Sequence, residues 1–378
     1  MEWTQTYGPD STTISDVTPN ETGYAFAGTT VEDASEDRGL FISTDEVGHV
    51  ELRRRHHFGE ATEFKTIVSA DDDSFLVGGR SGRGVLAKLE ADGSRAWHRR
   101  IEAFDQIRHV AELSDGRYAL ADTGSSPENL WAVVAVYDAE TDTVQGPWTW
   151  GESESPLNRV RALFAGPDDE LFVVGSHGSS GGWLWRIDAS GERTRTVDFG
   201  PHSGKFHATR TDDGGFAVAG TSGSSGWLIR LDEQGERRWE KSYPSLDSDF
   251  DVTDVVQFPD DGFGFVGDTT NLADPDGDVV VVRTEADGEE RWRATYEQSA
   301  TTVHTALPAA DGFLLAGETN RNEDETVGWA TTVAAHDERE TVGTTTNPST
   351  EGTIPGFGPV VTAFAVLLGC GYACRRRQ

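Results

Sequence analysis

Cysteine is almost missing from this 378-residue chain: Cys370 and Cys374 are the full complement, and both sit in an apolar stretch at the C-terminal end. Everything before them therefore lacks disulfides and thiolate metal sites, although a large core outside the cell does not require disulfides. Lysine is nearly as scarce, with only Lys65, Lys88, Lys205 and Lys241. Against 32 basic residues stand 65 acidic ones, a formal net charge of −33. A field of that sign repels phosphate backbones and speaks against nucleic acid as a partner. No stretch carries a sustained 3.6-residue apolar period with caps, so helices are minor at most. High charge and 36% hydrophobic content would suit a disordered chain. The 11 tryptophans and a regular strand pattern oppose that reading.

What is abundant is repetition. A step of "aG-T" type recurs seven times: YAFAGTT (Gly28), FLVGGRS (Gly79), YALADTG (with Asp122 in the glycine's place), LFVVGSH (Gly175), FAVAGTS (Gly220), FGFVGDT (Gly267) and FLLAGET (Gly317). The mean spacing is about 48 residues, the length of a four-stranded repeat unit. Each copy has one grammar: a first strand, a DG-type turn, the "aG" strand, a loop of variable length, a third strand such as GVLAKLE (84–90) or GWLIRLD (226–232), a second tight turn, and a fourth strand that often carries Trp. Period-2 placement puts Trp227, Ile229 and Leu231 on one face of such a strand and Leu228 and Arg230 on the other. The turn dipeptides supply the positive φ that tight hairpins need. Four antiparallel strands at this period predict an all-β fold, a seven-bladed β-propeller. The opening EWTQTYG (2–8) matches the fourth strands RWRATY (291–296) and RRWEKSY (237–243), whereas the seventh copy ends after 329–340 without one. The N-terminal strand is therefore expected to complete the last blade and close the ring, which removes the open sheet edge.

This grammar resembles the propeller repeats of secreted and surface proteins of bacteria and archaea, over roughly residues 3–340. The acid-rich, lysine-poor composition is similar to that of proteins from salt-loving archaea; at molar salt the Debye length of about 3 Å screens such self-repulsion. In the third copy, VYDAETDTVQGPW (136–148) resembles the docking turn of quinoprotein propellers, with no further signature of the quinone site.

After Glu340 the chain turns into a Thr-rich spacer, 341–353, and then IPGFGPVVTAFAVLLGCGYACRRRQ (354–378). The uncharged 357–374 segment is long enough for a thin or tilted crossing as a transmembrane helix, with the arginines on the cytoplasmic side. Pro355-Gly356-Phe357, an apolar segment, then Arg375, Arg376 and Arg377 resemble the PGF-CTERM sorting signal. That resemblance implies an archaeosortase as processing partner, a membrane lipid as anchor, and a propeller held outside the cell. An ordinary C-terminal anchor is the alternative. Export needs a signal peptide, yet Met1 is followed at once by the Trp3 strand, so the translation start is expected upstream. Asn20-Glu21-Thr22 fits an N-glycosylation acceptor in the first A–B turn.

No nucleophile elbow, phosphate loop or HExxH helix is present. Counting back from the repeat glycine gives one column on the innermost strands: Ser15, Thr66, His109, Ala162, His207, Asp254 and His304. His109, His207, Asp254 and His304 make a candidate divalent-cation set around the channel; the competing reading is hydrogen bonding between blades. The acidic loops 247–254, 274–278 and 320–325 lack EF-hand spacing and read as solvated surface. Long B–C loops share a face with the D–A loops and mark the expected binding face, where His56, His57, His177 and His202 also fall. Trp97, Trp239 and Trp292 read as core, whereas Trp148 and Trp150 break the pattern and read as exposed. The function expected is a monomeric, surface-anchored binding module for an envelope component, glycan or protein. The alternative is a propeller hydrolase or lyase with a metal or carboxylates at the channel mouth.

Overall fold

The computed structural model describes residues 3–8, 11–32, 36–70, 72–126, 129–151, 158–177, 181–200, 205–222, 225–244, 250–269, 278–296, 301–309, 312–322 and 325–334. The chain divides into units 1–335 and 336–378; the second, with the expected sorting signal, lies outside the described residues. No described helix is long and apolar enough to cross a membrane.

Seven four-stranded antiparallel sheets form the first unit. Six are consecutive in sequence, each running A to D from the axis outward; blade 1, for example, is Thr12–Pro19, Gly23–Glu32, Glu36–Asp45 and Val50–His56. The seventh takes Thr301–Ala309, Gly312–Asn322 and Glu325–Val333 from the end of the unit and Thr4–Tyr7 from its beginning. Thr4 pairs with Thr331 and Tyr7 with Gly328, so the ring closes by the N-terminal strand as the sequence indicates. Trp3 lies against Tyr24 of blade 1 at 6.3 Å, just as Trp97 lies against Tyr118, Trp239 against Phe263 and Trp292 against Phe313 in the next blade. The Tyr7 hydroxyl donates to the Gly48 carbonyl of blade 1, and Tyr243 does the same to Gly288 of blade 6. A borrowed strand thus repeats the contacts of a resident one.

There is no single core. Seven apolar clusters each lie between two neighbouring blades, including one between blades 7 and 1 built on Tyr7, Ile14, Phe26, Leu314 and Ala330. This is why both faces of a strand such as Ser225–Leu231 are buried from Gly226 onward. Trp148 and Trp150, expected to be exposed, are instead half-buried against the cluster of blades 3 and 4, with Trp150 5.5 Å from Trp185. His56, also expected on the open surface, is buried beside Phe58 and Phe64.

The cation in the third-strand motif pins the A–B turn of its own blade. Lys88 reaches Asp72 at 2.6 Å, and Arg186, Arg230 and Arg283 hold Glu170, Asp213 and Asp260. The repeat glycine has an equally local cause. An extra residue bulges out of the inner strand, and the carbonyl two residues before it is pressed onto the glycine: a Cβ on Gly79 would lie 1.9 Å from the Glu63 oxygen, and one on Gly28 2.0 Å from that of Thr13.

Candidate functional site

The inner strands fix which side chains meet at the axis. In register, the residue opposite the position before each repeat glycine is Asp16, Thr66, His109, Ala162, His207, Asp254 and Thr305. Two expected members are displaced: Ser15 and His304 occupy bulges, and Asp16 and Thr305 take their places. The cause is hairpin length. Five residues separate Ser69 from its partner Phe75 in blade 2, whereas four separate Pro19 from Tyr24 in blade 1 and Pro308 from Phe313 in blade 7. His304 consequently sits with Nδ1 2.7 Å from the Ile14 carbonyl oxygen of blade 1.

Asp16 and Asp254 act as clamps between blades. Asp16 accepts from Thr66 Oγ1 and from the Ile67 N–H, both at 2.9 Å, in blade 2. Asp254 accepts from the Ala306 N–H of blade 7 at 2.8 Å. The Thr305 hydroxyl stands between the two carboxylates, 3.3 Å from Asp16 and 3.4 Å from Asp254. Burial raises the pKa of Asp16. Burial, and to a lesser degree the Asp16 charge, pushes that of Asp254 up to about 7.

Blades 3, 4 and 5 present the opposite charge. His109 and His207 are both pushed down to about 3, first by burial and then by nearby cations: Arg108 and Arg161 for His109, Arg161 and Lys205 for His207. Arg161, the bulge residue of blade 4, lies 5.8 Å over the Phe206 ring of blade 5. Among the described residues, no group of three His, Cys, Asp or Glu side chains is close enough to hold a metal ion, and no hydrogen bond joins the His109 or His207 ring to a neighbour. The column is a set of blade-to-blade contacts on one side and a cationic wall on the other.

A second site lies at the D–A/B–C loop face between blades 2 and 3. Here the repeat is broken. The inner strand of blade 3 is only His109–Glu112, and the chain before it leans on blade 2, with Ile107 N–H bonded to the Gly79 carbonyl at 2.9 Å and Gly84 N–H to that of Phe104 at 2.8 Å. No bulge presses a carbonyl onto position 122, so a side chain fits there. Asp122 is 4% exposed, and its Oδ1 accepts from Arg108 at 2.6 Å and from the Thr123 N–H at 2.7 Å. Burial raises its pKa, and the Arg108 charge opposes this. The withdrawn strand leaves a cavity of about 230 Å³ lined by Arg83, Phe104, Asp105, Asp122 and Trp131, among others. Composition carried one signal of this place: Asp122 is the only non-glycine at the repeat position.

Of the remaining expected sites, Asn20 lies in the first A–B turn, where its Oδ1 accepts from the Gly23 N–H and its Nδ2 donates to Ser43. Pro355, Gly356, Phe357 and Arg375–Arg377 lie outside the described residues, as do His202 and the 274–277 acidic stretch.

No protein-family model matches this chain, and no curated protein matches it. Solved structures do. The β-propeller domain of Cps50 (Swd1) from Myceliophteria thermophila aligns with a TM-score of 0.61 at 11% identity, covering 88% of this chain and 100% of that one. The Pan2 WD40 domain of Neurospora crassa gives 0.53 at 12%, over 85% and 89%. Sqt1 from Chaetomium thermophilum gives 0.50 at 12%, over 88% and 98%. At such identities the likeness is one of fold, and the chain is an all-β, seven-bladed propeller similar to those of WD40 type.

Proposed function

We propose that this protein is a binding module anchored at the cell surface, which docks an envelope component, glycan or protein on its D–A/B–C loop face without turning it over. The observation that carries the reading is the broken repeat at blade 3. One inner strand is shortened, one repeat glycine is replaced by a buried aspartate, and a cavity with an indole and paired charges opens at that point. Concave sites with a few convergent polar groups are the usual ligand positions on a rigid scaffold. The WD40-type fold neighbours support an interaction scaffold, and the PGF-type tail supports an external position with archaeosortase processing.

The test is a thermal-shift and pull-down panel of envelope glycans and surface proteins with the full chain in molar salt. Asp122→Gly, which restores the repeat residue, serves as the comparison. A ligand that stabilises the parent, leaves Asp122→Gly unshifted and is recovered unchanged supports the reading. Turnover of the ligand favours the hydrolase or lyase alternative. Binding undiminished by Asp122→Gly removes the pocket from the account.

A further inference from the structure

The cationic wall of blades 3–5 poses a problem that the docking pocket does not solve. The protein carries about two acidic residues for every basic one, and its surface arginines are widely paired, as in Arg99 with Asp142 and Arg293 with Glu290. Arg161 is not. Among the described residues it makes no ion pair within 4.0 Å, and its Nε is buried with no hydrogen-bond partner. The one carboxylate that acts on it, Asp251, is already engaged by Lys205 at 2.7 Å.

The surroundings of Arg161 are largely charged. Arg108 of blade 3, Arg159 of its own blade and Asp251 of blade 6 all act on it electrostatically, while its guanidinium lies over Phe206 of blade 5. Arg161 thus occupies the bulge of the innermost strand of blade 4, within electrostatic reach of charges on blades 3 and 6. Alongside stand His109 and His207, whose rings bond to no described neighbour. Arg161 is half-buried, and its Nε has lost water without gaining a partner, a cost that an acceptor brought in from solvent would offset. The fork of an arginine matches the paired oxygens of an oxyanion.

We infer that the inner wall of blades 3–5 binds a small oxyanion, with Arg161 as its principal contact and His109 and His207 as flanking donors that become protonated when the anion is present. The chemistry required is a sulfate- or phosphate-type group, either free or carried on a larger molecule. The site is separate from the blade 2/3 pocket and does not depend on the docking reading.

Sulfate is the probe, because its charge stays constant across the relevant pH range. The full chain is titrated with millimolar sulfate in a constant excess of sodium chloride, with the histidine ring resonances followed by NMR at each pH. Sulfate is expected to raise the His109 and His207 pKa values, since an anion offsets the cations that add to the effect of burial. By linkage, its affinity starts to rise as pH falls through the raised pKa values, and the full gain of about tenfold per unit is reached only near the free values of about 3. Arg161→Gln abolishes the response, and Arg161→Lys, which keeps the charge but loses the fork, weakens it. General salting effects of sulfate are common to all three proteins and cancel. If Arg161→Gln does not fold, the His109→Gln/His207→Gln pair decides instead: binding persists at pH 8, and its strengthening on acidification is lost. Glucose 6-sulfate separates the sources: binding equal to or tighter than sulfate indicates a carried group, and exclusion indicates the free ion. Histidine titrations unmoved by sulfate, or a response unchanged in Arg161→Gln, overturn the inference.

Discussion

The ring is built as two unlike arcs. From blade 6 through blade 7 to blades 1 and 2, the axial positions are Asp254, Thr305, Asp16 and Thr66, and they bond one blade to the next. From blade 3 to blade 5 they are His109, Ala162 and His207, and the cross-blade work is left to other groups, such as the Thr123 hydroxyl accepting from the Val160 N–H. Identical sheets can therefore be tied together at the axis or merely stacked through their apolar clusters. The arc released from clamping is the one free to carry uncompensated charge, and it begins with the blade whose repeat is broken.

The largest effect should come from cutting a clamp. Asp16→Ala removes the acceptor of the Thr66 hydroxyl and of the Ile67 and Val17 N–H groups, leaving buried donors unmet. A loss of about 3 kcal/mol is expected by chemical denaturation in molar salt. Arg161→Ala in the other arc removes no partnered group and should change stability by about 1 kcal/mol or less. Equal losses would erase the distinction between the arcs.

The two arcs should also respond oppositely to pH. His109 and His207 have folded pKa values near 3 against the ordinary 6.5. The unfolded chain therefore binds more protons in that interval, and stability is lost as pH falls from about 6.5 toward 3. Asp254 is the reverse. Its folded pKa of about 7 exceeds the ordinary 3.8, so its contribution is full below 3.8 and is lost as pH rises through about 7. His109→Gln/His207→Gln should flatten the acid limb of a stability–pH profile, and Asp254→Asn the limb between pH 4 and 7. A variant that flattened the wrong limb would reverse the assignment.

How much of this was legible in the chain depends on what was used as the ruler. The glycine of the second strand gives the blade count, the repeat boundaries and the closure by residues 2–8, because its close approach to a carbonyl recurs from blade to blade. It misplaces the axial column in blades 1 and 7, because the hairpin between ruler and column is one residue shorter there. A better ruler lay on the inner strand itself. Buried pairs three apart, Ile14/Val17, Phe64/Ile67, Val160/Leu163, Val252/Val255 and Val303/Ala306, bracket the bulge in five blades, and Ile107/Val110 mark the same positions in blade 3, which has no bulge. The residue two after the first member is Asp16, Thr66, His109, Ala162, Asp254 or Thr305. The clamps themselves were not legible, since which N–H a carboxylate meets depends on the stagger between blades. The pocket was half legible: Asp122 announced the broken repeat, but the withdrawal of residues 101–108 onto blade 2 is a tertiary fact.

Asp122→Gly tests that break with a smaller effect. It frees Arg108 and exchanges a buried, hydrogen-bonded carboxylate for the repeat residue, so stability should shift by about 1 kcal/mol or less in either direction. A loss of 3 kcal/mol or more would mean that Asp122 is a clamp like Asp16 and that blade 3 belongs to the tied arc.

The finest test exchanges the threonine between the arcs. Thr305 sits 3.3 and 3.4 Å from two carboxylates and, with one hydroxyl hydrogen, can donate to only one at a time. Thr305→Val removes that donor from a pair already raised by burial, so both carboxyl groups should titrate still higher by NMR, with about 1 kcal/mol of stability lost at neutral pH. Ala162 holds the corresponding place in blade 4, where the neighbouring column residues His109 and His207 carry no carboxylate. Ala162→Thr should therefore move stability by about 0.5 kcal/mol or less and leave both histidine titrations where they were. The same side chain at the same register position then matters in one arc and not in the other, because only one arc offers an acceptor that needs it.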